Sequence, residues 1–365
     1  MLESEMSRRY APEITRKMDE HARFWNGEGS SLLLVPVAVR DLYDLDGYEA
    51  RFSDPELMFA AESARAEAIK TWPTDGIPTI RPNLGTVFVP SCVGQQYEVR
   101  PGSMPWPGET LSRDELRARR GSDVSAGELM RRALEFYRLA REETSVYAYH
   151  ADTQGVFDIA HLLYGERLFL DIATDVERSW VFELMELALE WYIQATKVIK
   201  DVIGEPAEQM VHGHGTDQGL FFSGAGTRIS EDTATLLSPD MIKRDLLPFM
   251  TRSAEPFGGA FVHYCGKHDA MFSMFCEAPW CVAIDLGNPE LYDLQSLGVQ
   301  CAATGTVLYS RFPGLPDEKP LSYVRRIGTL AAQTGARMVL RATVVPGSRG
   351  EAEEMVGTFH ELTQP

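Results

Sequence analysis

Residues 258–268 read GGAFVHYCGKH, and residues 281–286 read CVAIDL. Each stretch holds a short apolar run that ends in chemically reactive side chains, which are His263 and Cys265 in the first and Asp285 in the second. Short apolar runs bounded by glycine or charged residues are typical of strands buried on both faces, as parallel strands are. The two stretches therefore predict a parallel sheet with reactive groups at its strand ends.

Runs of the same kind recur along the chain and alternate with longer segments of helical periodicity. Residues 176–203 show the clearest helical pattern, Ser238 is placed to N-cap a helix over 238–251, and Gly335 is placed to end another. Alternating buried strands and helices are typical of βαβ units, whose strands are parallel. The predicted strands cover residues 31–39, 86–93, 144–150, 209–213, 260–265, 281–286, 299–304 and 337–345.

The pattern predicts an α/β fold, a (β/α)₈ TIM barrel formed by a single domain over residues 1–365 with its core at about 20–362. It carries an N-terminal helical extension and a long insertion near 94–130, whose polar, Pro/Gly-rich part is predicted as loop and surface helix. An open doubly wound sheet is the alternative. No glycine-rich phosphate-binding loop follows any predicted strand, so the barrel is favoured.

Composition excludes several classes of protein. The chain has 365 residues and a formal net charge of −18, from 53 acidic and 35 basic side chains. This balance argues against binding to nucleic acid or to an anionic membrane, because both need clustered Lys and Arg. The apolar runs are too short to span a membrane, and no secretory signal is visible at the N-terminus. Five irregularly spaced cysteines form no disulfide framework, so a cytoplasmic protein is predicted.

Two predicted strands lead into a histidine and an aspartate. His150 is followed by Asp152, and His214 by Asp217. Because active sites of parallel barrels lie at the carboxyl ends of the strands, these four residues are candidates for catalysis. Such pairs suit general acid–base chemistry, since each group shifts the pKa of the other. The structural alternative is that each aspartate caps the following helix.

The H-x-C sequence at 263–265 is a candidate metal site. His263 and Cys265 are two positions apart, so on a strand both side chains lie on the same face. An imidazole and a thiolate are ligands typical of zinc. The third ligand stays open between Cys301, His214 and a carboxylate. The structural alternative is that both residues belong to the core, where cysteine often serves as a small hydrophobe.

Four further polar residues are candidates for substrate binding. Arginine is suited to anionic groups, and Arg228 is predicted in an exposed loop. Solvation, helix capping and loop rigidity are comparable explanations for the whole set. The candidates are Arg81, Arg228, Asp232 and Asn288.

At residues 144–290 the sequence resembles the uroporphyrinogen decarboxylase-like superfamily, and most closely its branch of zinc-dependent, corrinoid-linked methyltransferases. The segment DTQGVFDIAHLLYGE at 152–166 is similar to a glycine-rich segment of the decarboxylases, and HYCG at 263–266 matches the H-x-C-G zinc motif of the methyltransferases. The resemblance implies a (β/α)₈ barrel and gives metal-ligand roles to His263 and Cys265.

The sequence departs from that family in two places. Residues 20–45 lack the arginine-rich segment with which the decarboxylases bind substrate carboxylates. The methyltransferases complete their zinc site with a cysteine from the last strand, and residues 337–345 contain none. Cys301 or a His or Asp then replaces it, or the chain binds no zinc.

The resemblance predicts an enzyme that transfers a methyl group between a small substrate and a thiol or a corrinoid. The corrinoid would be carried by a separate partner protein, and a homodimer is compatible with the sequence. Asp152, Asp217 or His214 would move protons or orient the substrate. One alternative is metal-independent decarboxylation of a porphyrinogen or another carboxylated aromatic compound, with Arg81 and Arg228 forming a cationic pocket. Another is a non-catalytic, ligand-binding barrel.

Overall fold

The computed structural model describes residues 9–37, 47–174, 176–213 and 217–364. His214 lies outside these ranges, so its predicted role stays a prediction. The described chain has a mixed α/β fold. Its strands are β1 Leu32–Leu34, β2 Ile77–Ile80, β3 Tyr97–Glu98, β4 Trp106–Pro107, β5 Tyr147–Ala148, β6 Met210–His212, β7 Gln218–Phe222, β8 Thr227–Ser230, β9 Ala260–Tyr264, β10 Cys281–Leu286, β11 Val307–Ser310 and β12 Met338–Arg341.

Helices fill most of the connections between these strands. In none of the described segments is a helix both long enough and apolar enough to cross a bilayer. A π-helical turn, Ile242–Leu246, joins α10 to α11. The helices are α1 Pro12–Trp25, α2 Tyr48–Ser53, α3 Pro55–Glu67, α4 Phe88–Cys92, α5 Arg113–Ala118, α6 Glu128–Ala140, α7 Val156–Tyr164, α8 Arg167–Ile172, α9 Arg178–Ile203, α10 Pro239–Met241, α11 Leu247–Ala254, α12 Asp269–Glu277, α13 Leu294–Thr304, α14 Pro320–Thr334 and α15 Arg349–Thr363.

The larger sheet has six parallel strands in the order β1-β12-β11-β10-β9-β8. A second sheet has the order β5-β2-β7-β6, in which β2 is parallel to β5 but antiparallel to β7. The six-stranded sheet with its covering helices is compatible with a TIM-like fold. Closure of eight strands into one barrel stays a prediction.

Most predicted elements are confirmed. The runs at 31–39, 144–150, 260–265, 281–286 and 337–345 contain β1, β5, β9, β10 and β12. Helix α9 matches the predicted 176–203, and Ser238 accepts the Met241 N–H as an N-cap. Gly335 ends α14 with a positive φ of 72°. Within the insertion, α5 is the predicted surface helix. The small β3–β4 pair lies in the part predicted as loop.

Two predicted strands are wrong because a short apolar run fits a buried helix as well as a strand. Residues 86–93 contain α4, and the true strand β2 lies earlier in the chain. Residues 299–304 form the last turns of α13, which ends at Gly305 with φ 80°, and β11 follows. Strand β6 lies within the predicted 209–213 but runs antiparallel to β7. Strand β8 was predicted as a loop, although all four of its residues are buried.

An apolar layer packs against one face of the large sheet and includes residues from both sheets. It includes Phe222, Phe261 and Tyr309, whose rings contact one another in sequence with centroid distances of 5.2 Å and 4.9 Å. Phe261 precedes His263 by two residues on β9, so both side chains lie on the same face. The aromatic layer therefore supports the polar residues at the carboxyl ends of the strands.

A fully buried carboxylate joins β5, β6 and α9. Glu205 accepts hydrogen bonds from Tyr147 Oη at 2.8 Å and the Val211 N–H at 3.1 Å. Its Oε2 lies 2.8 Å from His150 Nε2 and 3.1 Å from Lys200 Nζ. Burial opposes ionisation, but Lys200, His150 and these hydrogen bonds outweigh it and lower the pKa of Glu205 from 4.5 to about 2. The ionised carboxylate therefore holds the three elements together.

We expect Glu205→Gln to lower the free energy of unfolding by about 3–5 kcal/mol at pH 7, because the Lys200 charge stays buried without its counter-ion. The folded pKa lies below the unfolded one, so this stability is present above about pH 4.3 and is lost as the pH falls toward 2. Denaturant unfolding at several pH values measures the unfolding free energies of the wild type and the variant. The difference between them should become smaller at acidic pH.

Glu186→Gln is the matched control, because Glu186 pairs with Arg252 at the surface. This substitution should lower the free energy of unfolding by less than about 1 kcal/mol at every pH. Equal effects of the two substitutions would contradict the assigned role of Glu205.

Candidate functional site

Three side chains that could ligate a metal meet at the carboxyl ends of β8 and β9. The ligand atoms of Asp232, His263 and Cys265 all lie within 4.8 Å of one another. Strand register explains the meeting: Ser230 on β8 pairs with His263 on β9, so two positions further on Asp232 comes beside Cys265. The Cys265 N–H donates to Asp232 Oδ1 at 2.7 Å, which fixes the carboxylate at the thiol.

The spacing of this group fits a zinc ion. His263 Nε2 lies 3.6 Å from Cys265 Sγ and 3.7 Å from Asp232 Oδ1. Two ligands of a tetrahedral zinc ion are separated by roughly 3.5 Å at normal bond lengths. One nitrogen, one sulfur and one oxygen ligand form a donor set that zinc accepts, and the fourth position would remain for a substrate.

Asp285 orients the imidazole of the group. Its Oδ2 lies 2.9 Å from His263 Nδ1, and register places Asp285 beside His263 on the neighbouring strand. Burial opposes ionisation of Asp285, but His263 and the guanidinium groups of Arg341 and Arg311 outweigh it and lower the pKa of the carboxyl. An ionised carboxylate only accepts, so Nδ1 carries the proton and the Nε2 lone pair faces the other ligands.

The electrostatic surroundings of Cys265 favour a cation. Burial and the negative charges of Asp232 and Asp285 together raise the pKa of this thiol to about 12, against a smaller opposing effect of Arg311. The same carboxylates that disfavour a bare thiolate would stabilise one shared with a divalent cation. Cys265 is an exposed residue, so solvent and ligands reach the group.

Glycines allow the close approach at this site. Gly266 turns the chain after Cys265 with a φ of +85°, and its N–H donates to Asn288 Oδ1 at 2.9 Å. A Cβ on Gly287 would lie 2.5 Å from the Cys265 sulfur, so no larger residue fits there without displacing the thiol. Asn288, predicted to bind substrate, thus fixes the turn next to the thiol.

A reciprocal pair of carboxylates clamps the loop that carries Asp232. Asp158 on α7 accepts the N–H groups of Asp232 and Thr233 at 2.9 Å and 3.0 Å. Glu231 in turn accepts the N–H groups of Phe157 and Asp158 at the start of α7. A Cβ on Gly155 would lie 2.4 Å from Glu231 Oε1, which explains the glycine in the DTQG segment.

Asp152 and Arg228 form a buried ion pair, with Arg228 Nη1 2.8 Å from Asp152 Oδ1. The prediction that Arg228 lies in an exposed loop is wrong, because it sits on β8 with 7% of its surface exposed. Burial opposes ionisation of Asp152, but Arg228, Arg81 and His263 outweigh it and lower its pKa. Gly155 occupies the N-cap position of α7, so Asp152 does not cap that helix.

The remaining predicted residues that the structure describes have partners outside the group of Asp232, His263 and Cys265. His150 is held by Glu205, as described above. Asp217 precedes β7 rather than a helix, so it is no helix cap, and its carbonyl accepts the Thr79 N–H. The Arg81 guanidinium lies 5.8 Å from the centre of the Tyr149 ring. Burial, with Arg228 and other cationic neighbours, lowers the pKa of His212 well below its ordinary value, so its imidazole is neutral.

Cys301 is not part of the group that could hold a metal, whose third candidate ligand atom belongs to Asp232. Cys301 is a fully buried residue of helix α13, where its thiol interacts with that of Cys276. The error follows from the incorrect strand at 299–304, since a strand there would have brought residue 301 to the sheet.

Sequence reasoning missed two polar residues of the same sheet face. Arg341 ends β12 and Tyr309 lies on β11, and both are buried. An arginine at the end of the apolar run MVLR was a visible signal, because arginine is rarely buried without a partner. Tyr309 gave no such signal, since tyrosine is common in strands.

No protein-family model matches the chain, and no curated protein matches it significantly. Among solved structures, a methyltransferase from Methanosarcina mazei resembles it with a TM-score of 0.64 and 13% sequence identity. The match covers 94% of this chain and 98% of that one. At this identity the likeness establishes a similar fold.

We expect Gly287→Ala to weaken zinc binding by about 10–100-fold, the range typical of changes next to metal ligands. The added methyl group would displace the Cys265 sulfur or the backbone that carries it. Competition with a colorimetric chelator measures the affinity. Gly357→Ala on α15 is the control, because its Cβ would meet open space and should leave zinc affinity unchanged. Equal zinc affinity of the Gly287 variant and the wild type would contradict the assigned packing.

Proposed function

We propose that this protein is a zinc-dependent methyltransferase that moves a methyl group from a corrinoid, carried by a separate protein, to a small thiol. The observation that carries the proposal is the meeting of Asp232, His263 and Cys265 at metal-binding distances. The fold similarity to a methyltransferase supports the reaction class, and the HYCG sequence supports the choice of metal.

A zinc ion held by these three residues would act as a Lewis acid and lower the pKa of a substrate thiol at its open position. The chain's own residues prepare that position. Asp285 fixes the His263 tautomer, the Asp158–Glu231 clamp places Asp232, and Gly287 leaves room for the Cys265 sulfur. Together they set the direction from which the thiol approaches.

The remaining polar groups orient the substrate. Because Arg228 lowers the pKa of Asp152, this aspartate is a weak base and is better suited to positioning than to proton abstraction. The thiol proton leaves to solvent through the open side at Cys265. The methyl group would pass to the substrate sulfur, and both electrons of the bond that breaks would remain on the corrinoid.

We further propose that β1, β2, β5 and β8 to β12 form one eight-stranded barrel, with β6 and β7 as an antiparallel insertion. Two contacts across the gaps between the sheets support this. The Asp75 N–H, just before β2, donates to the Leu33 carbonyl on β1 at 3.0 Å. The Arg228–Asp152 pair joins β8 to the segment after β5.

The first test is the metal content of the purified protein made with ample zinc. We expect about one zinc per chain, since the donor set describes a single site. Cys265→Ala and Asp232→Ala should lose it, because each removes one of the three ligand atoms. Cys301→Ala is the matched control and should retain the metal. Zinc-free wild-type protein, or full zinc in the Cys265 variant, would refute the assigned site.

The second test is methyl transfer from free methylcobalamin to 3-mercaptopropionate or 2-mercaptoethanol, followed by the visible spectrum of the cobalamin. We expect zinc-loaded protein to demethylate the cobalamin and the Cys265→Ala variant to lose the reaction. Cys301→Ala should retain it. Transfer that survives complete removal of zinc would contradict the proposed role of the metal.

A further inference from the structure

A buried arginine, Arg341, lies near the candidate metal site formed by Asp232, His263 and Cys265. The methyl transfer proposed above gives it no role. Arg341 ends β12 with 4% of its surface exposed. Its Nη1 lies 4.0 Å from Asp285 Oδ2, and the same oxygen lies 2.9 Å from His263 Nδ1. The guanidinium is therefore separated from the metal-binding imidazole by a single carboxylate.

Several buried hydrogen-bond donors of Arg341 and Tyr309 have no acceptor among the described residues. Nε and Nη1 of Arg341 have no hydrogen-bond partner in the described ranges, and the 4.0 Å separation from Asp285 is too long for one. The Tyr309 hydroxyl is fully buried and also lacks a partner there. The guanidinium carbon lies 5.7 Å from the centre of the Tyr309 ring. Buried donors of this kind are costly, so each calls for an acceptor.

Charge is unevenly distributed across the site. Arg228 is neutralised by Asp152 on the β8 side. On the β11–β12 side, Arg341 and Arg311 both act electrostatically on Asp285, whose carboxylate also serves His263. Arg311 follows Tyr309 by two residues and lies directly after the end of β11. This side therefore carries an excess of positive charge and of hydrogen-bond donors, which suits an anion.

We propose that Arg341 and Tyr309 bind a carboxylate group of the methyl-accepting substrate, which would be a small thiol that also carries a carboxylate. This inference rests on the proposed function for the thiol, but the carboxylate site itself does not need the metal. Asp285 lies between the two sites and would hold them at a fixed separation. The substrate would then be anchored by its anion on one side of Asp285 while its sulfur meets the metal on the other.

Calorimetric titration with two matched probes, 3-mercaptopropionate and its uncharged amide, tests the proposal. We expect the zinc-loaded wild type to bind the carboxylate at least about tenfold more tightly than the amide, as a charge-assisted hydrogen bond typically provides. Arg341→Gln should remove this preference by weakening carboxylate binding about tenfold, with amide binding and zinc content unchanged. Equal affinity of the wild type for both probes would overturn the proposal.

Two further variants guard against misfolding. Tyr309→Phe keeps the ring packed against Phe261 and removes only the hydroxyl, so it should reduce the preference for the carboxylate without loss of fold. Arg337→Gln is the matched control, because Arg337 lies just before the opposite end of β12 and also has a buried Nη2 without a partner. It should leave the preference unchanged. A preference retained in both Arg341→Gln and Tyr309→Phe would overturn the proposal.

Propionate and propionamide, titrated into zinc-free protein, separate this proposal from the proposed function. A preference for propionate that Arg341→Gln removes would support the carboxylate site even in protein that transfers no methyl group. Protein that binds zinc and transfers methyl groups but does not distinguish propionate from propionamide would refute the carboxylate site alone.

Discussion

The Asp285 carboxylate is fully buried at the end of β10, and the polar layer of the site depends on it. One of its oxygens lies close to both His263 Nδ1 and Arg341 Nη1. Ionised, it fixes which nitrogen of His263 carries the proton and stabilises the guanidinium groups of Arg341 and Arg311 in a region of low dielectric. A neutral residue here would leave the imidazole free to rotate and the arginine without a counter-ion. The orientation of the His263 imidazole in the candidate metal site therefore depends on the negative charge of Asp285.

Such a charge is tolerated because the chain buries its charged groups in balanced sets. Asp152 opposes Arg228, and Glu205 joins Lys200 to His150. The aromatic layer of Phe222, Phe261 and Tyr309 is itself fully or almost fully buried. Dry surroundings strengthen each pair but would penalise any group left alone. Arg341 is balanced less closely, because the nearest carboxylate oxygen of Asp285 is 4.0 Å away and also contacts His263.

Sequence periodicity was sufficient to predict those features of the site that depend only on residues close together in the chain. The spacing of His263 and Cys265 placed both side chains on one face, and the end of the run CVAIDL placed Asp285 at the same edge. Asp232 could not be assigned in this way, because its position depends on the β8–β9 register and on Asp158, which is 74 residues away. Cys301 failed for the opposite reason: a local run was read as a strand although tertiary packing made it part of a helix.

The missing cysteine of the last strand takes on a physical meaning in this arrangement. Where a third soft ligand was expected, β12 offers the guanidinium of Arg341, and an oxygen ligand from Asp232 approaches from the β8 side instead. The site consequently has a polarity: the carboxylates of Asp232 and Asp285 lie with the Cys265 thiol at one end, and the guanidinium of Arg341 lies beyond Asp285 at the other. A substrate with a sulfur and a carboxylate would match both ends in one orientation only. In the proposed scheme, charge thus determines the orientation of the substrate before any bond to the metal forms. The absence of a cysteine ligand from the last strand is then linked to specificity for the substrate.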